Sequence, residues 1–410
     1  MLRFVLNPVD SYRFYLGSAF FYAFCWSTMT IVSLVYMVQV AHLDPLQMVL
    51  VGTLLELSVF IFEIPTGIVA DLHSRRLSVV IGYLMLGSGF MLLGLYPRFD
   101  VILLSQVIWG IGSTFISGAR QAWLSDEIGS EKANRTFLVS AQFSQIGYLL
   151  GIPFSIWLAH KSLSLPIVVG SAGVIVLGLF AGGLMGEKDF HKLDDEHRMT
   201  WSRMTLTFST GIERIRARPL LVLILLIALV GGVYSEGFDR LNVPFLIEHF
   251  AFPQLAGLDT VVWWGLLAAG STLLSVVATG YVRKHVDTEN SRQIILLLSV
   301  LTGGLSLLMV IFALSQWFTL AVLSYFGIAV IRAVSGPLTT AWMNQNLESS
   351  TRATLFSMHA QADAFGQVAG GPVVGAVGKF YSLRYALLLS GVLLSPSIAF
   401  YRRAFRLKTG

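Results

Sequence analysis

Charge is scarce in this chain. Only 12% of its 410 residues are Asp, Glu, Lys or Arg, about half the fraction usual in a soluble domain. Cysteine is scarcer still, and a single residue, Cys25, excludes an intrachain disulfide. No Gly-rich phosphate loop, no His and Cys set at metal-ligand spacing and no nucleophile motif occurs. An enzyme, a resident metal and a bound cofactor are therefore not expected. Long polar stretches are missing too. The largest, about Gly186 to Arg218, is too short for a soluble catalytic or ligand-sensing domain.

What the chain has is apolar sequence: 55% of residues are hydrophobic and the mean hydropathy is +0.72. Runs of about 20 residues, long enough to cross about 30 Å of hydrocarbon as helix, recur along it. We count twelve, centred near Ser27, Val59, Phe90, Gly112, Gly147, Val174, Leu229, Leu273, Leu305, Val330, Gln367 and Gly391. The expected fold class is all-α integral membrane, with twelve transmembrane helices. The basic residues set an orientation. With the N-terminus inside, the outer loops hold only Arg98, Lys161, Lys379 and Arg384, and Arg120, Arg240 and Arg332 lie within helices. All other Lys and Arg fall on the inner side, which predicts cytoplasmic termini in a cell membrane. The net charge of +5 follows from this bias and does not argue for nucleic acid.

An internal repeat divides the chain. Trp123, Gln142, Gly147, Gly151 and Pro153 recur in the same order and spacing as Trp342, Gln361, Gly366, Gly370 and Pro372. Small residues four apart let helices pack closely, and proline frees a carbonyl and bends a helix. The expected organisation is an N-terminal six-helix half over 1–185, a linker over 186–218 and a C-terminal six-helix half over 219–410, in parallel repeat. Within the linker, Trp201, Met204, Phe208, Ile212 and Ile215 fall on one helical face among arginines, as in a helix lying on the membrane surface.

The stretch between spans two and three reads Gly67-Ile68-Val69-Ala70-Asp71-Leu72-His73-Ser74-Arg75-Arg76. It resembles the loop signature of the major facilitator superfamily, departing from it at Ser74, where the family usually has Gly. The preceding Glu63-Ile64-Pro65-Thr66 resembles the drug:proton antiporter branches, the tetracycline and multidrug exporters, and Gly147 to Pro153 resembles their span-five motif with one residue inserted. The resemblance implies alternating access between two halves. It also implies that Asp126 holds Arg75 or Arg76 and that Asp71 faces the N-terminal end of span eleven, as a cytoplasmic latch. The arginine these exporters often carry four residues before a span-four glycine is replaced by Gln106.

Charges at membrane depth cost roughly 2.5–3.5 kcal/mol each on insertion scales, which makes them candidates for function. Glu56 and Glu63 share one face of span two, two turns apart. Glu63 is expected to pair with Arg120 as part of the gate, with Glu56 as the candidate proton carrier. In span seven, Glu236 and Arg240 can pair within the helix, leaving Asp239 to titrate or to meet substrate; an outer gate is the rival reading. Arg332 in span ten is expected to be neutralised by Asp363 in span eleven. Trp26 and Tyr36 belong to a polar and aromatic face of span one, either a cavity lining or a seam between helices.

These readings converge on a secondary transporter that exports amphipathic small molecules in exchange for protons. Its expected partners are substrate, protons and membrane lipid, its energy source is the proton gradient, and it is expected to act as a monomer. A metabolite importer is the alternative, and a non-transporting membrane sensor a more distant one.

Overall fold

The computed structural model describes residues 10–187, 218–254, 260–345 and 349–407. The amphipathic helix expected around Trp201 to Ile215 lies outside the described residues. Every regular element among those described is a helix. In order they are α1 (Ser11–Thr30), α2 (Ser33–Gln39), α3 (Pro45–Leu72), α4 (Arg75–Leu95), α5 (Phe99–Ile116), α6 (Ala119–Ile128), α7 (Ser130–Ala159) and α8 (Ser164–Leu184). The second set is α9 (Pro219–His249), α10 (Thr260–His285), α11 (Ser291–Leu314), α12 (Phe318–Gln345), α13 (Ser349–Phe380), α14 (Leu383–Leu393) and α15 (Pro396–Leu407).

Each of the twelve expected spans falls on one helical run. Eleven of these runs are both long and apolar enough to cross a membrane. The twelfth, α13, has 32 residues, and its apolar sequence is diluted by His359, Gln361, Asp363 and Gln367. Three spans are broken in two. The break between α5 and α6 falls at Gly118, whose φ of 70° is unfavourable for any residue with a Cβ.

Lipid is as apolar as leucine, so burying leucine gives little drive for one membrane helix to join another. Close backbone approach and interhelical hydrogen bonds act instead. The chain forms two compact units, one of Met1–Leu43, Leu54–Met199 and Leu255–Gly265, the other of Asp44–Thr53, Thr200–Gln254 and Leu266–Gly410. In the first, α1 packs on α7 and α8, and α4 packs on α5 and α8. A Cβ on Gly147 or Gly151 would collide with the carbonyl oxygens of Phe20 and Phe24 on α1. The Ser155 hydroxyl donates across the same seam to the Thr28 carbonyl at 2.7 Å.

The second unit repeats this seam with other residues. There α9 packs on α13, and a Cβ on Gly366 or Gly370 would collide with the carbonyls of Leu229 and Val233 on α9. In both units two glycines one turn apart therefore lie on two carbonyls one turn apart. The repeated tryptophans are equivalent too: Trp123 is 2% exposed and Trp342 0%. Trp123 meets Phe14 edge-on and Trp342 meets Tyr401. Pro153 and Pro372 both sit inside their helices, α7 and α13.

Outside these seams large apolar side chains face outward, among them Leu138, Leu179, Val277 and Leu323. Exposed Tyr96, Trp157, Trp317, Tyr381 and Tyr385 cluster at helix ends, as aromatic residues do at a membrane interface. The chain is a multi-pass membrane protein.

Candidate functional site

Three groups of polar and aromatic side chains are built into these helices. The first surrounds the turn between α3 and α4. Ser74 caps α4: its hydroxyl accepts from the Leu77 amide at 2.9 Å, and its backbone is extended, with φ −174°. The turn therefore makes no left-handed step at this position, and serine fits where the superfamily usually has glycine. Asp71 and Gly67 lie in the last turns of α3, both half-buried. Of the two arginines, Arg75 is the one that meets Asp126, at 2.5 Å. Arg76 instead donates from its guanidinium to the Gly182 carbonyl at the end of α8. Glu187, just beyond α8, holds the turn from the other side. It accepts from the Ser74 hydroxyl at 2.6 Å and from the Arg76 amide at 3.2 Å. Nothing in the spacing of Glu187 marks it in the sequence, because the contact joins residues far apart in the chain.

The expected pair Glu63–Arg120 is not formed. The Glu63 carboxylate accepts from the Ser117 hydroxyl at 3.0 Å. The Arg120 guanidinium lies 4.4 Å from the centre of the Tyr15 ring, and donates to the Tyr15 carbonyl at 3.2 Å and the Ser18 hydroxyl at 3.4 Å. Span four is not one straight helix but two, α5 and α6. The break at Gly118 resets the helical phase between Ser117 and Arg120 and turns the arginine onto α1.

The second group is aromatic. Trp26 on α1 stacks on Tyr22 and meets Phe90 of α4 and Trp109 of α5, each at 5.7 Å; Tyr22 in turn meets Tyr83 at 5.5 Å. Phe90 and Trp109 are 4.7 Å apart. Tyr22, Trp26 and Trp109 are half-buried, whereas Tyr83 and Phe90 are buried. Tyr36 stands apart. It is 1% exposed and its hydroxyl donates to the Gly94 carbonyl at 3.2 Å, so it packs helices rather than lining a space. Periodicity along span one puts Trp26 and Tyr36 on one face. The interruption between α1 and α2 separates their surroundings.

The third group is charged and belongs to the second unit. Glu236 and Arg240 pair along α9 at 2.8 Å, the Glu236 side chain 4% exposed and that of Arg240 15%. They pack where Gly52 of α3 and Gly371 of α13 leave room, since a Cβ on Gly52 would strike both side chains. Glu56, one turn further along α3 than Gly52, falls in the first unit and is half-buried. Arg332 of α12 does not take Asp363 as its partner. It binds Asp239 of α9 through both terminal nitrogens, one contact at 2.8 Å, with side-chain exposures of 35% and 41%. Asp363 accepts from Gln367, one turn on, at 2.9 Å, within electrostatic range of Arg332, Asp239 and Glu236. Which carboxylate an arginine of one helix reaches depends on the register between helices, and hydrophobic pattern does not encode register.

A smaller clasp closes one end of the same unit. Asp44 precedes α3, and its carboxylate accepts from the Gln47 amide at 2.9 Å while the Gln47 side chain accepts from the Asp44 amide at 3.0 Å. This reciprocal cap was readable as Asp-Pro-x-Gln before an apolar run. Lys379 at the end of α13 completes it at 2.9 Å from Asp44. Partial burial would raise the Asp44 carboxyl, but the hydrogen bonds from Gln47 and Lys379 outweigh it and hold the group below its ordinary value. Among the described residues no cluster of His, Cys, Asp or Glu suited to a metal ion is found.

Comparison with known proteins gives a consistent picture. A family model described as Major Facilitator Superfamily matches residues 14–288. The uncharacterized MFS-type transporter YxaM of Bacillus subtilis (strain 168) is 21% identical over 376 residues, 87% of each chain. Among solved structures, the nucleoside transporter NupG superposes with a TM-score of 0.75 over 97% of this chain and 99% of its own, at 14% identity. A bacterial homolog of the human lysosomal transporter Spinster gives 0.73 over 98% of each chain, also at 14% identity. At such identities the likeness to these structures is one of fold.

Proposed function

Because the chain belongs to the major facilitator superfamily, and so is a transporter rather than an enzyme, we propose that it exports amphipathic small molecules in exchange for protons by alternating access. The observation that carries this reading is the Asp239–Arg332 pair. An ion pair inside two membrane helices is costly, and this one keeps more than a third of each side chain's surface uncovered by protein, which suits a pair that a ligand can reach. Protonation of Asp239 releases Arg332, and Asp363, within electrostatic range of it, offers the alternative counter-charge. The buried Glu236–Arg240 pair supports the helix beside them. Glu56 is the coupling acid on the α3 side.

The aromatic group around Trp26 supplies the apolar surface that an amphipathic substrate needs. Arg75–Asp126, with Glu63, Gly67, Asp71, Arg76 and the Glu187 tether, forms the cytoplasmic latch. Arg120 leaves the latch, since its guanidinium rests on Tyr15. Both termini are cytoplasmic on the basic-residue bias, and the paired glycine seams keep each half rigid while the two move. Substrate, protons and surrounding lipid are the partners, no cofactor enters, and a single chain suffices.

A second reading is uptake of a polar metabolite, as solved carriers of this fold include a nucleoside transporter and a peptide transporter. It is favoured by the same half-exposed ion pair, which suits a polar ligand. The two separate in everted vesicles acidified inside and challenged with tetracyclines, macrolides, quinolones and dyes. Export predicts compound-dependent proton release that is lost in Asp239→Asn. If no compound releases protons from vesicles carrying folded protein, the export reading fails. Accumulation of nucleosides or peptides in right-side-out vesicles would then establish uptake.

A further inference from the structure

We infer that the first unit holds a binding site for the anionic end of an aromatic substrate, with Arg120 as its charge-recognising residue and Tyr22, Trp26 and Trp109 as its ring-stacking wall. The inference deepens the carrier reading by naming the substrate class, and it rests on that reading.

Arg120 is a cation within a membrane span, half-buried, and its polar contacts are a backbone carbonyl and a serine hydroxyl. Neither neutralises it. The carboxylate expected to do so, Glu63, is bound to Ser117, and Asp126 further along α6 is held by Arg75. What does face the guanidinium is aromatic. It lies over Tyr15 and within electrostatic range of Tyr22 and Tyr83. From Tyr22 and Tyr83 the rings continue without interruption through Trp26 to Phe90 and Trp109. One end of this column is cationic and the other is formed by Phe90 and Trp109.

A second observation points the same way. The Tyr83 hydroxyl is buried, with no hydrogen-bond partner in the structure, on a side chain 1% exposed. Buried hydroxyls ordinarily find partners. Here an unmatched donor lies within range of an unneutralised cation, at the polar end of a stack of rings. A carboxylate or sulfonate would accept from both, while its aromatic body lay against Tyr22, Trp26 and Trp109. A charge-assisted contact of this kind is much stronger where water is excluded. A cationic amphiphile of the same shape meets repulsion at Arg120, and a neutral one leaves the arginine without a counter-charge.

Equilibrium dialysis of the purified full-length protein in lipid nanodiscs, with no gradient, tests this apart from coupling and direction. The probes are 1-naphthoate and 1-pyrenebutyrate, their neutral amides and the corresponding ammonium compounds. The expected result is at least tenfold tighter binding of each anion than of its amide. That ratio falls to near one in Arg120→Gln and is largely restored in Arg120→Lys, while Trp26→Ala weakens acid and amide alike. Failure of both anions to bind the wild type, or equal affinity for acid and amide, overturns the inference. An anion preference that survives in Arg120→Gln overturns it as well. If Arg120→Gln does not fold, Arg120→Met, which keeps the length of the side chain and removes its charge, takes its place with the same expected loss of the ratio. Anion-selective binding without proton release in vesicles would leave this site standing and remove the export reading alone.

Discussion

Arg332 and Asp239 face each other across α12 and α9 in a two-pronged ion pair, Nη1 to Oδ1 and Nη2 to Oδ2. Bidentate geometry of this kind fixes direction as well as charge. Cutting one partner leaves the other charge unmatched inside the membrane. Arg332→Gln should therefore destabilise the protein by about 1–3 kcal/mol, less than the roughly 3–5 kcal/mol of a fully buried pair because both side chains are partly exposed. Adding Asp239→Asn should recover part of that loss. A thermal double-mutant cycle in detergent measures the coupling, and additive losses would mean the pair contributes nothing.

The glycine seams make a prediction about each unit by itself. Gly147→Ala and Gly366→Ala each place a methyl against a carbonyl, of Phe20 and of Leu229, and neither helix backbone can yield cheaply. Each should cost about 1–3 kcal/mol, typical of overpacking. Gly17 on α1 has nothing within 4 Å of its would-be Cβ. Gly17→Ala should be neutral or stabilising by up to about 1 kcal/mol, since alanine favours helix. Melting temperatures of the three variants check the contrast, and similar losses in all three would refute the packing argument.

Asp44 gives a pH signature outside the membrane-spanning helices. Its carboxyl titrates below its ordinary value, so its share of stability is fully present above the unfolded pKa of about 3.9 and is lost as pH falls through the lower, folded value. The melting temperature of Asp44→Asn should lie below that of wild type by a constant gap above about pH 5. The gap should begin to shrink as pH falls below about 3.9 and should vanish only below the lower, folded value, where both proteins carry a neutral group. A gap independent of pH over this range would assign the loss to helix capping rather than to charge.

Much of this was legible in the chain itself. Spans show because about 20 apolar residues in succession are what a bilayer demands, and the seam glycines show because close packing tolerates only small residues. The turn after α3 shows because two arginines and an aspartate between apolar runs have few other uses. Pairing across helices was less accessible. Arg75 with Asp126 follows from the family resemblance, but the spacing of residues gave Arg120 to Glu63 and Arg332 to Asp363, and the structure gives them other partners. Ser74 read as a departure that weakened a glycine turn; its extended backbone and cap show a turn that serine suits.

The sequence by itself determined that this chain crosses the membrane repeatedly, that it repeats once, and which residue types are costly enough at depth to require a reason. These follow from hydropathy and local spacing, which act along the chain. Only the tertiary structure decided who meets whom. A single positive φ at Gly118 sends Arg120 to the aromatic column, and the register of α9 against α12 gives Arg332 to Asp239. Partner choice turns on offsets of one helical turn between segments far apart in the chain. No local pattern carries that information, because many registers bury the same apolar faces equally well.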